Sequence, residues 1–384
     1  MWVRIPDRET SIGPNRAERI VVAMKIVVAG TRGIPDIQGG VETHCEELYP
    51  RLAAMGHDVT VVRRSCYVTP QNKITTYKGV RLKDTYAPRK KSIEAIVHTF
   101  LAILYARRVH ADVLHIHAIG PSLLVPFARL LGLKVVMTHH GPDYDRQKWN
   151  RVAKAVLRLG ERMGVKYANE VIVISTVIDN ILREKYHRCN AHLIYNGVNT
   201  PAIATTTDYI ASLGLESHKY VLAVGRFVEE KGFDLLIRAF DQIPHEGYKL
   251  VIAGDADHED HYSTTLKQLA RERGGVLTGF IRGAKLNELF SQARLFVLPS
   301  FHEGLPIVLL EALSYHLPVL VSDIPANRLS CLPADDFFAT GDIRSLAEAL
   351  ARKLAQTDTR CQYDLTPYNW DYIATQVDAV YHRL

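Results

Sequence analysis

The chain has 384 residues, 47% of them hydrophobic and 23% charged, with 47 Lys and Arg against 41 Asp and Glu. That composition is ordinary for a soluble globular protein and excludes collagen-like or disordered chains, while the length predicts two domains. No apolar run approaches the roughly 20 residues a membrane helix needs. The five cysteines (Cys45, Cys66, Cys189, Cys331, Cys361) form neither a CxxC pair nor a metal-ligand spacing with histidine, and read as small buried apolar residues in a reducing cytoplasm.

Residues 1–23 carry charges on both sides of a Gly-Pro turn signal and have no apolar stretch of signal-peptide type. They read as a disordered extension, or as translation from a start upstream of the true one. From Met24 onward, short apolar runs alternate with helical patterns, which predicts parallel sheets built from βαβ units. In the first half, strands are expected near 25–30, 58–63, 112–116, 134–138, 171–175 and 192–195, with helices near 40–55, 92–109, 120–131, 149–168 and 177–186. The pattern restarts with strands near 219–225, 248–253, 276–279, 294–298 and 318–322, and helices near 232–242, 260–272, 284–291, 304–316 and 343–356. Between the halves, 196–219 is rich in Thr and turn residues and reads as a linker. The expected domains are therefore 24–200 and 201–365, followed by a final amphipathic helix within 366–384.

Charge is uneven along the chain. Residues 1–200 hold 30 Lys and Arg against 17 Asp and Glu, whereas 201–384 hold 17 against 24. The cations cluster at Arg63-Arg64, Arg89-Lys90-Lys91 and Arg107-Arg108, the last two flanking the apolar segment 92–106. That arrangement suits anionic lipid or a pyrophosphate-linked acceptor, or a solvated face on a core helix. No nucleic-acid partner is expected.

Four segments could carry chemistry. The first strand runs into GTRGIPDIQGGVET, where glycines including Gly39 and Gly40 precede a helix, so backbone N–H groups could approach an anion. The loop lacks G-x-G-x-x-G spacing and no acid follows the second strand, which disfavours a dinucleotide dehydrogenase; the plain alternative is a turn without a ligand. In the second half, Arg226 lies just past a strand and Lys231 at the start of the next helix. Two such cations could neutralise a diphosphate without a metal, or could salt-bridge Glu229 and Glu230. Glu303 follows another strand and Glu311 comes eight residues later, along a helix expected to start near Gly304. Two turns of helix separate carboxylates by roughly 12 Å, so the pair would bind different parts of a long ligand. A Glu favoured by the helix dipole plus an incidental second one is the alternative. Finally, His139 and His140 end a strand before a Gly-Pro turn. Adjacent histidines point different ways and no carboxylate sits at ligand spacing, so no metal site is read there, and GDADHED (254–260) reads as a strand-to-helix loop.

In this order and spacing, E-x7-E, GRFVEEKG, VISTVIDNIL, IYNGV and the glycine loop resemble the family 4 glycosyltransferases, over about residues 24–357. The resemblance implies the α/β GT-B fold, two Rossmann-like domains facing a cleft. It also implies retaining, metal-independent sugar transfer from a nucleotide-diphosphate sugar, with a UDP-sugar favoured and a GDP- or dTDP-sugar as alternatives. By it, Arg226 and Lys231 hold the diphosphate, Glu303 the donor sugar hydroxyls and Glu311 the ribose. Gly304 and Leu305 face sugar and phosphate, Phe280 and Ile281 hold the base, Gly39 and Gly40 approach the donor phosphate, and His140 lies near the sugar. Asn199 and SDIPANR depart from the family pattern, which bears on sugar specificity. GTRGIPDIQGGVET looks most like bacterial enzymes extending O-antigen, capsule or exopolysaccharide units, which implies a glycan or polyprenyl-pyrophosphate-linked acceptor and peripheral binding inside the cytoplasmic membrane. Alternative readings are a nucleotide-sugar 2-epimerase and a non-catalytic nucleotide-sugar-binding scaffold.

Overall fold

The computed structural model describes residues 23–89, 93–145, 150–245, 247–256, 259–356 and 361–384. The expected extension, apart from its last residue, lies outside them.

The first half runs β1 (Lys25–Ala29), α1 (Gly40–Ala54), β2 (Asp58–Arg64), β3 (Thr76–Tyr77), β4 (Val80–Thr85), α2 (Glu94–Arg108), β5 (Val113–His117), α3 (Val125–Leu130), β6 (Val135–His139), α4 (Arg151–Tyr167), β7 (Glu170–Val173), α5 (Thr176–Tyr186) and β8 (His192–Leu193). Its strands make one sheet in the order β3-β4-β2-β1-β5-β6-β7-β8, parallel except for β3 against β4. Strands in such a sheet are buried on both faces and read as largely apolar runs. β1 shows why: Ile26 and Val28 pack with Leu48 and Leu52 of α1, while Val27 and Ala29 face Ala102 and Ile103 of α2.

The second half runs α6 (Asp208–Ser212), β9 (Tyr220–Val224), α7 (Phe233–Asp241), β10 (Lys249–Ala253), α8 (His261–Glu272), β11 (Val276–Leu277), α9 (Gly283–Gln292), β12 (Leu295–Leu298), α10 (Ile307–Ser314), β13 (Val319–Ser322), β14 (Phe337–Phe338), α11 (Ile343–Ala355) and α12 (Trp370–Tyr381). The second sheet is ordered β11-β10-β9-β12-β13-β14. Most expected strands and helices are present, and the differences have local causes. The β3–β4 hairpin, not expected from sequence, turns through Lys78 and Gly79, both at positive φ (44° and 84°), the conformation a two-residue hairpin loop requires. The helix expected over 304–316 begins only at Ile307. Pro306 is its N-cap, and a proline disfavours helical backbone in the residue before it. Glu303 therefore lies in the loop before the helix, and only Glu311 is on the helix, so the two-turn separation does not apply.

The segment read as a linker contains α6, and its second half is docked. Ile210 and Leu215 are buried, and Glu288 of α9 accepts hydrogen bonds from the Thr206 hydroxyl at 2.8 Å and the Ile210 N–H at 2.9 Å. The last helix returns to the first sheet: Trp370, Ile373, Val377 and Tyr381 pack with Ile26, Leu48 and Val59. All five cysteines are free thiols, but Cys45 alone is buried and Cys189 is exposed. Among the described residues no helix is long and apolar enough to cross a membrane.

Candidate active site

The two sheets turn loops at the carboxyl ends of their strands toward one another, the edge at which open α/β sheets bind ligands. Contact across the cleft is close. A Cβ added to Gly304 would lie 2.1 Å from the His140 carbonyl oxygen, and the Asn196 amide donates to the Leu305 carbonyl at 2.9 Å. Arg282 reaches over to Asp36 and Glu46, both at 3.0 Å.

Beyond β9 come Gly225 and Arg226, then a short turn over Glu229–Lys231 that leads into α7 through Gly232. Lys231 Nζ donates to Glu303 Oε1 at 2.7 Å, both side chains being mostly buried. The two loops are further tied by the Phe301 N–H donating to the Glu230 carbonyl at 2.8 Å. Lys231 and Glu303 are thus brought together, and the sequence alternative of Lys231 pairing with Glu229 or Glu230 is not what forms. Burial opposes ionisation of Glu303, but the adjacent ammonium outweighs it and holds the carboxyl below its usual range.

Glu311 projects from α10 into a cavity of about 230 Å3 between the halves, lined also by Thr43 and Glu47 of α1, Gly197, Asn287 and Trp370. Burial first, and then the Glu47 carboxylate, push its pKa up to about 7, with Arg282 opposing. Phe280 and Ile281 follow β11, and Phe280 is exposed. The Gly279 carbonyl just before them accepts from the Gly254 N–H at 2.9 Å.

On the facing side, Gly39 is the N-cap of α1 with φ 150°, and a Cβ there would lie 2.1 Å from a Glu42 carboxylate oxygen. That carboxylate fastens the loop by accepting from Thr31 Oγ1 at 3.1 Å and the Arg32 N–H at 2.9 Å. Gly40 has open space around it. The two adjacent histidines part company, as their sequence neighbourhood implied. His139 Nε2 meets Glu161 Oε1 at 2.9 Å with both side chains fully buried, whereas His140 Nε2 meets His117 Nδ1 at 2.9 Å and its backbone borders Gly304.

Sequence reasoning did not foresee the chain behind His140. His117 contacts the Tyr49 hydroxyl at 2.5 Å, Tyr49 contacts His115 at 2.9 Å, and His115 contacts the Tyr381 hydroxyl of α12 at 2.7 Å. Beside it, His44 Nδ1 contacts Asn196 Oδ1 at 2.9 Å. Burial lowers His44 to about 4 and His115 to about 3, and holds His117 and His140 well below the usual range, so the cluster is neutral near pH 7. His115 and His117 sit two apart on one strand, the spacing that puts side chains on one face; that was the only local signal. Among the described residues, His44, His117 and His140 are the one trio of ligating side chains with nitrogens within 4.8 Å of one another. Asp255 pairs with Lys267 and Asp260 caps α8.

Two of the cations read as surface charges are instead structural. Arg63 is buried, bonded to Asp84 and to the carbonyls of Ile34, Asn72 and Ile74; Arg64 pairs with Glu94 at 2.7 Å. Lys90 and Lys91 lie outside the described residues, and Arg107 and Arg108 are exposed at the end of α2.

Two parallel-sheet α/β domains meeting across such a cleft define a GT-B glycosyltransferase. The chain belongs to the family 4 glycosyltransferases: the family model described as Glycosyltransferase Family 4 matches residues 38–201 and that described as Glycosyl transferases group 1 matches 206–364. It is 27% identical to the α-maltose-1-phosphate synthase of Mycobacterium tuberculosis, over 94% of this chain and 100% of that one. Among solved structures, sucrose-phosphate synthase of Thermosynechococcus elongatus superposes with a TM-score of 0.77 at 23% identity, covering 94% of this chain and 98% of that one. Anabaena HepE in complex with UDP-glucose superposes with a TM-score of 0.71 at 18% identity, covering 94% and 95%.

Proposed function

We propose that the protein is a retaining, metal-independent glycosyltransferase that moves a hexose from a nucleotide-diphosphate sugar, a UDP-sugar by preference, to a glycan acceptor carried on polyprenyl pyrophosphate. The observation that carries this reading is the Lys231–Glu303 pair at 2.7 Å, at the strand-end loops of the second sheet and beside the Gly304 contact with His140. In this reading Lys231 and Arg226 take the donor diphosphate and stabilise the charge that leaves with it, so no divalent ion is needed. Glu303, kept ionised, accepts hydrogen bonds from the donor sugar. Glu311 accepts from the ribose, and the backbone after Gly279, with Phe280 and Ile281, holds the base. Gly39 and Gly40 approach the phosphates from the facing domain. The neutral His140 bonds a sugar hydroxyl without adding a competing charge.

Retention follows a front-face path. The acceptor oxygen bonds to the anomeric carbon on the face from which the diphosphate oxygen departs, and the acceptor proton passes to a departing phosphate oxygen. Support for a UDP-sugar comes from HepE, solved with UDP-glucose. Support for a lipid-carried acceptor in bacterial surface polysaccharide synthesis, met at the inner membrane face, comes from the GTRGIPDIQGGVET opening and the basic first half.

The test is a thermal-shift screen in EDTA against UDP, GDP, dTDP and ADP and their common sugars, followed by NMR of the product anomer. Stabilisation by one nucleotide that vanishes in Lys231→Ala, with an axial donor giving an axial product, supports the reading. Strict dependence on a divalent ion, or an inverted product, sinks it.

A further inference from the structure

Most surface helices turn their apolar residues inward, and α4 does so only in part. Its inner face sets Leu157 and Val165 against the core, with Gly160 against the Ile119 carbonyl, Gly164 against Ser122 and Met137, and Glu161 paired with His139 and Lys185. Its outer face carries Val152, Ala155, Val156 and Leu159, all exposed, at the i, i+3, i+4, i+7 spacing of a continuous apolar stripe. Val152 is 72% exposed and Leu159 46%. Alongside this stripe run Arg158, Arg162 and Lys166.

Leu159 also borders a groove of about 1120 Å3 between α4 and α5, whose lining includes Arg158, Arg162, Lys166, Lys185 and Arg188 and no Asp or Glu. Lys185 is spent partly on Glu161 at 2.6 Å, and Arg188 on carbonyls at the end of α4. Arg158 lies over the Tyr144 ring. No ion pair to a carboxylate forms at Arg158, Arg162 or Lys166 among the described residues. An exposed apolar stripe flanked by unneutralised cations matches the interface of an anionic bilayer, where apolar side chains enter the acyl boundary and cations meet headgroup phosphates.

We propose that the outer face of α4, together with the cationic groove it forms with α5, is the surface by which the protein docks on an anionic lipid bilayer. The proposal builds on the reading of a lipid-carried acceptor, and it moves the docking face from the segment around 92–106 to α4 and α5.

The experiment is co-sedimentation of the full chain with vesicles of phosphatidylcholine alone, or of equal parts phosphatidylcholine and phosphatidylglycerol, at low salt. Wild type is expected to pellet with the anionic vesicles only. Arg158→Glu/Arg162→Glu/Lys166→Glu should weaken partitioning at least about a hundredfold, and Val156→Ser/Leu159→Ser should leave a weaker, more salt-sensitive binding. A control of equal charge change on the second domain, Arg273→Glu/Arg328→Glu/Arg344→Glu, should bind as wild type. The proposal is overturned if wild type stays in solution with anionic vesicles, or if the α4 triple variant and the control lose binding alike. It is also overturned if the α4 variants alter only self-association in light scattering, which assigns the face to a second copy, or only the binding of free pyrophosphate. Nucleotide-induced thermal shifts on the same samples separate the two readings. Vesicle binding without any nucleotide shift removes the transferase proposal and keeps this one, and the reverse pattern removes this one.

Discussion

Lys231 Nζ and Glu303 Oε1 lie 2.7 Å apart, joining the loop after β9 to the loop after β12. Neither side chain is more than 16% exposed, so each is the buried counter-charge of the other. Removing one partner of such a pair strands the other and costs about 3–5 kcal/mol, whereas replacing both with apolar residues of similar volume is often neutral. Lys231→Ala is therefore expected to lower stability in chemical denaturation and to cut kcat/KM by about 10²–10³. Lys231→Met/Glu303→Leu should recover most of the stability and none of the activity. Recovered activity in the double variant would remove both residues from the donor site.

Glu311 sets the expected pH dependence. A carboxyl with a pKa of about 7 in the free protein is largely protonated at pH 6, and in the proposed reading the ribose hydroxyls donate to its ionised form. Nucleotide affinity should rise about tenfold from pH 6 to pH 8 and then level off. His44 at about 4 and His115 at about 3, with His117 and His140 held well below the usual range by burial, add nothing to the slope over that window. Isothermal titration should show the slope in wild type and a flat, weak profile in Glu311→Gln. The sign for stability is opposite. Because the folded pKa is raised, the contribution is present below the unfolded value and is lost as pH rises through about 7.

At Gly304 the two halves meet backbone to backbone. With His140 O only 2.1 Å from an added Cβ, Gly304→Ala must push the loops apart, since backbone cannot give way as a flexible side chain does. The expected result is a larger radius of gyration in small-angle scattering and a fall in kcat. Unchanged scattering with wild-type turnover would show that this contact is not needed for the reaction.

Trp370 ties α12 to the first sheet, 2% exposed and packed edge-on against His44. Trp370→Ala should cost about 3–5 kcal/mol and lower kcat as well, since the His44–Asn196–Leu305 chain loses its support. A stability loss of that size with unaltered turnover would confine the helix to a structural role.

How much of this was legible in sequence depended on how local the signal was. The βαβ alternation, the glycine loop and the Arg226, Lys231, Glu303 and Glu311 positions could be read because each is written in a run of neighbouring residues. The helix start is less plain, since apolar periodicity runs through Pro306 and only the proline marks where helical backbone begins. The β3–β4 hairpin is short and lysine-bearing, so alternation was weak, and its Lys-Gly turn was the cue left unused. The chain from His140 through His117, Tyr49 and His115 to Tyr381 joins four elements distant in sequence, and only the folded topology assembles it. Arg63 and Arg64 looked like surface charge because sequence shows a cation but not the carbonyls and carboxylates that surround it.

The return of α12 to the first sheet also bears on how the molecule is made. On the ribosome, β1, α1 and β2 emerge long before α12, and the apolar layer they share with Trp370, Ile373 and Tyr381 lacks one wall until the second sheet has been synthesised. The earlier half must wait in an incompletely closed state, exposing Leu48 and Val59 to solvent or to a chaperone. Severing the chain between the sheets would not yield two self-sufficient pieces, and the last helix supplied in trans should rescue the first.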